Sequence, residues 1–235
     1  MAVDSDARMR LAVALDTGEL ASAREIVTAV KPFVGIAKVG LQLFSAAGHT
    51  AVRAVQDAGM DVFLDVKLHD IPNTVYGASR VLGSLGVRFL TVHASGGRQM
   101  LEAAVQGLAE GAEQAGVSSP TTLAVTVLTS DRTASPDTLR ERLDAAVVAG
   151  CGGVVCAATD LPVIRAASPS ITTVVPGIRP TGVSAHDQSR VATPAEAIRA
   201  GADILVVGRA ITGADDITAA AQAVATEVSR ALPVS

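Results

Sequence analysis

Three charged residues and a histidine crowd the end of one apolar segment, FLDVKLHDIPNT at 63–74. Asp65 and Lys67 are two positions apart, so their side chains would point to the same face of a regular strand. Only three of the 19 basic residues are lysines, and Lys38 and Lys67 lie in or at the end of apolar segments. Lysine can release a proton near neutral pH, whereas arginine cannot. The pattern favours a movable proton or a compact positive charge, with a structural ion pair as the alternative.

The elements that must position these residues are short apolar strands separated by amphipathic helices. Strands are predicted over eight segments: 11–15, 34–39, 61–66, 88–93, 123–128, 153–157, 171–175 and 204–208. Helices are predicted over 19–31, 46–58, 72–85, 97–115, 138–149, 193–200 and 214–230. Most of the strands are rich in Val, Ile and Leu without strict alternation, which is typical of strands covered on both faces.

This order of elements predicts an α/β fold, a single (β/α)₈ TIM barrel in which residues 1–235 form one catalytic domain. A doubly wound open sheet is the alternative. The nucleotide-binding patterns GxGxxG after the first strand and GxxxxGK[ST] are absent from the sequence.

Polar residues close many of the predicted strands. They are Asp16, Lys38, Asp65 with Lys67, His93, Thr129 and the pair Gly208-Arg209. Because the carboxyl ends of barrel strands meet at one face, we expect carboxylates and ammonium groups to alternate there in one cluster. Other interpretations remain open: Asp16 could cap the next helix, His93 could be a core histidine, and Thr129 could be an ordinary turn hydroxyl.

Two glycine-containing segments near the last two strands indicate a phosphate site. They are PGIRPTG at 176–182, followed by Gln188, and Gly208-Arg209. The loops after strands 7 and 8 of a barrel often bind phosphate, and arginine adds a bidentate partner. Either segment alone could be a turn, but together they favour phosphate.

Composition excludes several classes of protein. The chain is 49% hydrophobic and 18% charged, with a net charge of −4. It has no run rich in Lys and Arg, so nucleic acid is not an expected partner. It also lacks the apolar stretch of a signal peptide or a membrane span, so we expect a soluble cytoplasmic protein. Cys151 and Cys156 do not form a CxxC pair and are expected to be buried thiols, with a metal or redox role as the alternative.

Five segments together resemble the orotidine 5′-phosphate decarboxylase family. They are D-x-K-x-x-D-I-P-N-T at 65–74, VHASGG at 92–97, VTVLTS at 125–130, PGIRP at 176–180 and VVGRAIT at 206–212. The likeness runs in order from Asp16 to about Thr212. It implies a homodimeric TIM barrel that converts orotidine 5′-monophosphate to uridine 5′-monophosphate in pyrimidine synthesis, without a cofactor or a metal.

The resemblance implies Lys67, Asp65, Lys38 and Asp70 as the catalytic residues. In it, Lys67 donates a proton to C6, Asp65 lies beside the departing carboxylate, and Lys38 bridges the charged cluster and the ribose. Asp16 binds ribose hydroxyls. Asp70 and Thr74 reach the ribose region of the partner's site, so active sites are shared between subunits.

The remaining implied contacts hold the base and the phosphate. Thr129 lies against the pyrimidine, and the phosphate and closing-loop positions are Arg179, Gln188, Gly208 and Arg209. Two other functions stay open. One is a decarboxylase or aldolase of the same barrel superfamily that acts on a sugar phosphate with Mg²⁺. The other is a non-catalytic protein that binds phosphorylated ligands on a retained barrel.

Overall fold

A computed structural model describes residues 5–128, 135–180 and 192–232. Within these ranges, eight parallel strands close into a barrel in sequence order. They are β1 Leu11–Leu15, β2 Ile36–Gly40, β3 Asp61–Leu68, β4 Phe89–His93, β5 Thr121–Val125, β6 Gly153–Val155, β7 Thr172–Val175 and β8 Ile204–Val207. The first strand pairs with the last, Leu11 opposite Leu205 and Val13 opposite Val207. The predicted TIM barrel is confirmed, and the open-sheet alternative is wrong because no edge separates β1 from β8.

Helices cover the outside of the barrel. In the described ranges they are α1 Ser5–Met9, α2 Leu20–Val30, α3 Leu41–Ala47, α4 His49–Asp57, α5 Pro72–Gly83, α6 Gly97–Ala115, α7 Pro136–Val148, α8 Leu161–Ala167, α9 Pro194–Arg199, α10 Arg209–Thr212 and α11 Ile217–Ala231. Short 3₁₀ turns, Ala94–Gly96 and Ala158–Asp160, precede α6 and α8. None of these helices is long and apolar enough to cross a membrane.

Several element boundaries differ from the sequence prediction. The single helix predicted over 46–58 is wrong, because the chain breaks at Gly48, whose φ of +53° ends α3 before α4 begins. Strand β5 starts earlier than predicted and ends at Val125. Beyond it, the Thr126 hydroxyl and N–H both donate to the Val155 carbonyl oxygen, at 3.0 and 3.2 Å. Helices α1, α3, α8 and α10 lay outside the predicted set or only partly within it.

The barrel interior is a layer of apolar side chains directly below the charged end of the strands. It contains Ala12, Ala14, Ile36, Phe63, Phe89, Leu123, Val174, Ile204 and Val206. Side chains two positions apart on a strand share a face, so Ala14 lies below Asp16, Ile36 below Lys38 and Phe63 below Asp65. The strands therefore carry polar groups as the uppermost layer of the interior.

Helices α5 and α6 pack with their backbones in contact. A Cβ atom at Gly107 would overlap the carbonyl oxygen of Tyr76, and one at Gly111 would overlap that of Arg80. Across the same contact the Tyr76 hydroxyl donates to Glu110. This close packing fixes the position of α5, which begins at Pro72 of the D-I-P segment.

Candidate active site

A cavity of about 260 Å³ opens at the carboxyl ends of the strands. Its charged lining consists of Asp16, Lys38, Asp65, Lys67, Arg179 and Arg209. Apolar side chains complete the wall, among them Val125, Val155 and Val206. The predicted carboxylates and ammonium groups thus share one cavity with two arginines from the segments predicted to hold phosphate.

Four charged side chains form a continuous alternating chain. Lys67 Nζ lies 2.7 Å from Asp65 Oδ1, and Lys38 Nζ lies 3.4 Å from Asp65 Oδ2. Lys38 Nζ is also 3.2 Å from Asp16 Oδ1. Asp16 does not cap α2, which begins at Leu20 after Glu19. The predicted convergence of these residues from three strands is confirmed.

Asp65 is the buried centre of this chain, with only 8% of its surface exposed. Burial by itself raises the pKa of Asp65. The ammonium groups of Lys38 and Lys67 and hydrogen bonds from Lys67 and Thr91 outweigh that effect, so the pKa lies below its ordinary value. Asp65 is therefore a buried carboxylate that stays ionised at neutral pH.

The backbone at Lys67 departs from a regular strand. Among the described residues, Lys67 is the one non-glycine with a positive φ, +50°. The register of β3 against β4 shifts between Leu64 and Leu68 at this point. Asp65 and Lys67 do meet, but the regular strand assumed from the sequence is wrong at Lys67.

The arginines approach the cavity from the two last strands. Arg179 follows β7, is 6% exposed, and donates to the Ile178 carbonyl oxygen at 2.8 Å. Arg209 is the first residue of α10, directly after Gly208, and its side chain is exposed. A Cβ atom at Gly208 would lie 3.6 Å from Ala14 Cβ and 3.9 Å from Asp16 Oδ2. Thr129 and Gln188, two of the predicted binding residues, lie outside the described residues.

Asp70 and Thr74 lie on the outer rim and do not line the cavity. Both are exposed. Asp70 Oδ1 accepts a hydrogen bond of 2.7 Å from the N–H of Ile71, a residue that is itself 66% exposed. The segment that carries Asp70 and Thr74 therefore projects outward at the start of α5.

His93 closes β4 beside the cavity and stacks near a second histidine. The rings of His69 and His93 have centroids 5.3 Å apart. Burial, followed by the charges of His69, Lys67 and Arg142, lowers the pKa of His93, while Asp65 opposes that shift. His93 closes its strand as predicted, but it is half-buried. Its burial is therefore intermediate between that of an open strand-end group and that of the core histidine of the alternative interpretation.

Both cysteines are buried free thiols, as expected from their spacing. Burial raises the pKa of Cys151 to about 12, and burial raises the pKa of Cys156 as well. Cys156 lines the apolar part of the cavity. Sequence reasoning missed this location, and it also missed Thr91, whose hydroxyl contacts the charged chain. The available signal for Thr91 was a lone hydroxyl within the apolar strand RFLTVH.

Comparisons with known proteins identify the family of the chain. The model of the family described as Orotidine 5′-phosphate decarboxylase / HUMPS matches residues 9–224. An orotidine 5′-phosphate decarboxylase of Anaeromyxobacter sp. (strain K) is 49% identical over 227 residues, covering 92% of this chain and 96% of the relative. The Moorella thermoacetica protein of the same name is 45% identical over 235 residues, covering 94% and 93%.

Solved structures show the same similarity. The crystal structure of orotidine 5′-phosphate decarboxylase from Lactobacillus acidophilus superimposes with a TM-score of 0.80 at 34% identity, covering 94% of this chain and 99% of that one. An uncharacterized conserved protein from Geobacillus kaustophilus gives 0.77 at 32% identity, covering 93% and 99%. By its sequence, its fold and its family match, the chain belongs to the Orotidine 5′-phosphate decarboxylase / HUMPS family.

Proposed function

We propose that this protein is a carboxy-lyase that converts orotidine 5′-monophosphate to uridine 5′-monophosphate in pyrimidine synthesis, without a cofactor. The observation that carries the proposal is the alternating chain Asp16–Lys38–Asp65–Lys67, which lies between an apolar cavity wall and two arginines. The family match supports the same reaction.

The reaction needs an ammonium group where this alternating series of charged side chains ends, at Lys67. When the bond between C6 and the carboxylate breaks, CO₂ leaves and the electron pair stays on C6 in the plane of the ring, where the π system cannot delocalise it. The protein must stabilise that charge electrostatically. The ammonium group of Lys67 does so beside C6 and then transfers a proton to C6, and the resulting amine regains a proton from solvent.

Asp65 has the charge and burial to act on the leaving group. As an ionised carboxylate beside the substrate carboxylate, it repels the bound anion more than the neutral CO₂ that departs. Lys38 keeps Asp65 in place through its other oxygen, 3.4 Å away, and extends towards Asp16. In this proposal Asp16 and Lys38 also bind the ribose.

The arginines suit the phosphate end of the nucleotide. Arg179 and Arg209 both line the cavity, and the Gly208 backbone lies between Arg209 and the charged chain. The proposal adds Gln188 to the phosphate contacts and Thr129 to the pyrimidine contacts. Binding energy from the distant phosphate can align the reacting ring without stabilising the ground state at C6.

The proposal includes a homodimer with shared active sites. Asp70 and Thr74 lie beside exposed Ile71 on a rim that projects away from their own cavity, so they can reach the ribose region of a partner's site. An isologous contact would make that exchange reciprocal. Residues 1–235 act in this proposal as one cytoplasmic catalytic domain.

The test is incubation of the purified protein with orotidine 5′-monophosphate while ultraviolet absorbance is followed. We expect the substrate spectrum to be replaced by that of uridine 5′-monophosphate, with chromatography confirming the product. Activity should survive exhaustive chelation, because Lys38 and Lys67 supply positive charge within the site. An unchanged spectrum would refute the proposal, and Mg²⁺-dependent turnover of a sugar phosphate would favour the other branch of the barrel superfamily.

A further inference from the structure

The hydroxyl of Thr91 joins the two reactive side chains through hydrogen bonds of its own. Thr91 lies in the middle of β4 and is 0% exposed. Its Oγ1 donates to Asp65 Oδ1 at 3.0 Å and accepts from the backbone N–H of Lys67 at 2.9 Å. One buried atom therefore contacts both the carboxylate and the main chain that carries the ammonium group.

The strand register explains why a side chain is needed there. Leu64 pairs with Leu90 and Leu68 pairs with Val92, so residues 65–67 of β3 face Thr91 alone. At this register shift the N–H of Lys67 bonds to the Thr91 side chain and not to a ladder carbonyl of β4. The Thr91 hydroxyl takes the place of the carbonyl that would accept that N–H in an unbroken sheet.

The two oxygens of Asp65 have separate partners. Oδ1 accepts hydrogen bonds from the Thr91 hydroxyl at 3.0 Å and from Lys67 Nζ at 2.7 Å. Oδ2 forms an ion pair with Lys38 Nζ at 3.4 Å. Without the hydroxyl, the carboxylate would lose the neutral donor that fixes its rotation about Cβ–Cγ. It would then be oriented by two flexible ammonium groups alone.

We propose that Thr91 is a positioning residue: its hydroxyl sets the orientation of the Asp65 carboxylate and the backbone of Lys67, and through them the place of the Lys67 ammonium group. The kinetic part of this inference rests on the proposed decarboxylation. The backbone part does not, since the Lys67 N–H can be observed without turnover.

Two substitutions separate the hydroxyl from the size of the side chain. Thr91→Val keeps the shape and removes the hydroxyl, whereas Thr91→Ser keeps the hydroxyl. Thr122→Val is the matched control, because Thr122 is a buried threonine on neighbouring β5 and has no hydrogen bond to Asp65 or Lys67 in the described residues.

We expect Thr91→Val to lower kcat about 10- to 100-fold, as displacement of a reacting group does. The Kd for uridine 5′-monophosphate should change little. Amide hydrogen exchange at Lys67, followed by NMR, should accelerate in Thr91→Val and stay slow in Thr91→Ser. Thr91→Ser should also retain most of the turnover, and Thr122→Val should match the wild type in kcat, in Kd and in Lys67 exchange.

Several results would overturn the inference. One is wild-type kcat together with wild-type Lys67 exchange in Thr91→Val. Another is an equal loss of kcat and of nucleotide affinity in Thr91→Val. A third is a Thr91→Ser variant as impaired as Thr91→Val. If valine prevents folding, Thr91→Ala and Thr91→Ser make the comparison, since both lose the methyl group and only alanine loses the hydroxyl. Unfolding of both hydroxyl-free variants would mean that the hydroxyl supports the barrel itself, which also contradicts a positioning role. A wild-type protein that does not decarboxylate the substrate refutes the proposed function but leaves the exchange result standing.

Discussion

Lys38 and Asp65 form an ion pair of 3.4 Å although the register of their strands does not place them opposite each other. Asp65 pairs with Gly40, and Lys38 pairs with Phe63. A Cβ atom at Gly40 would lie 3.2 Å from Lys38 Nζ and 3.4 Å from Asp16 Oδ1. The space above Gly40 is what lets the lysine side chain cross diagonally between the two carboxylates.

Gly40→Ala should therefore impair the site more than the fold. The backbone φ of −88° at Gly40 suits alanine, so we expect little change in Tm. The new methyl group should displace the Lys38 ammonium group and lower kcat about tenfold. Steady-state kinetics and thermal unfolding measure the two effects. Unchanged kcat at unchanged Tm would show that Lys38 has room to adjust.

Lys67→Ala should abolish turnover while the protein still binds uridine 5′-monophosphate. Lys67→Arg should fail as well, because arginine keeps the charge but does not release a proton to carbon. Single-turnover assays with orotidine 5′-monophosphate and product binding by calorimetry separate the two properties. Near-normal turnover by the arginine variant would contradict the role of Lys67 as proton donor.

Arg209→Ala should raise KM about 10- to 100-fold, because a hydrogen bond to a charged group contributes ~1.5–3 kcal/mol. The loss should shrink for orotidine, which lacks the phosphate. Arg98→Ala is the control, since Arg98 is a surface residue paired with Glu102 at 2.6 Å on α6. Equal losses with the two substrates would place Arg209 away from the phosphate.

Complementation tests the shared site. Lys67→Ala and Asp70→Ala homodimers should each be nearly inactive, whereas a hybrid dimer should have one wild-type site and one doubly altered site. Random exchange of equal amounts makes about half of the dimers hybrid and restores about a quarter of all sites. Hybrid dimers that form without regaining activity would show that Asp70 serves its own subunit.

His93 should make the folded protein sensitive to mild acid. Its folded-state pKa is lowered from 6.5, first by burial, so the unfolded chain binds more protons between that lowered pKa and 6.5. The free energy of unfolding should fall as pH decreases through this window. The lowered pKa of Asp65 changes the free energy of unfolding at pH values below its ordinary pKa of 3.8, which lie outside this window.

The measurement is Tm at about pH 7.5 and about pH 5.5, on either side of the ordinary histidine pKa. His93→Gln should show a smaller drop between the two than the wild type does. His49→Gln, at an exposed histidine on α4, should keep the wild-type drop. An equal drop in His93→Gln would assign the acid sensitivity to other groups.

Much of the site could be predicted from sequence because polar residues close its apolar strands. Ala14 and Phe63 mark interior positions, so Asp16 and Asp65 necessarily follow them on the same face. Closure of the barrel then brings the strand ends together. Local sequence patterns were enough for these residues, since each depends only on its own strand.

What could not be predicted depends on contacts between strands or on backbone torsion. The positive φ at Lys67 and the register shift beside it arise where β3 meets β4, and nothing in the letters DVKLHD indicates either. The contact of the Thr91 hydroxyl with the Lys67 N–H accompanies that shift, because an unbroken register would place Lys67 opposite His93. The break at Gly48 is similar, because a glycine within a helical pattern can either continue the helix or end it.

The pairing of β1 with β8 has a consequence for how the protein is made. On the ribosome, the chain emerges with all four charged residues of the cluster within its first 67 positions, long before the strand that closes the barrel. Until residues 204–207 are released, β1 keeps an open edge that another polypeptide can pair with. In the proposed function Arg209 binds the nucleotide, and it follows the closing strand, so the ligand would stabilise only the finished barrel and not the nascent chain.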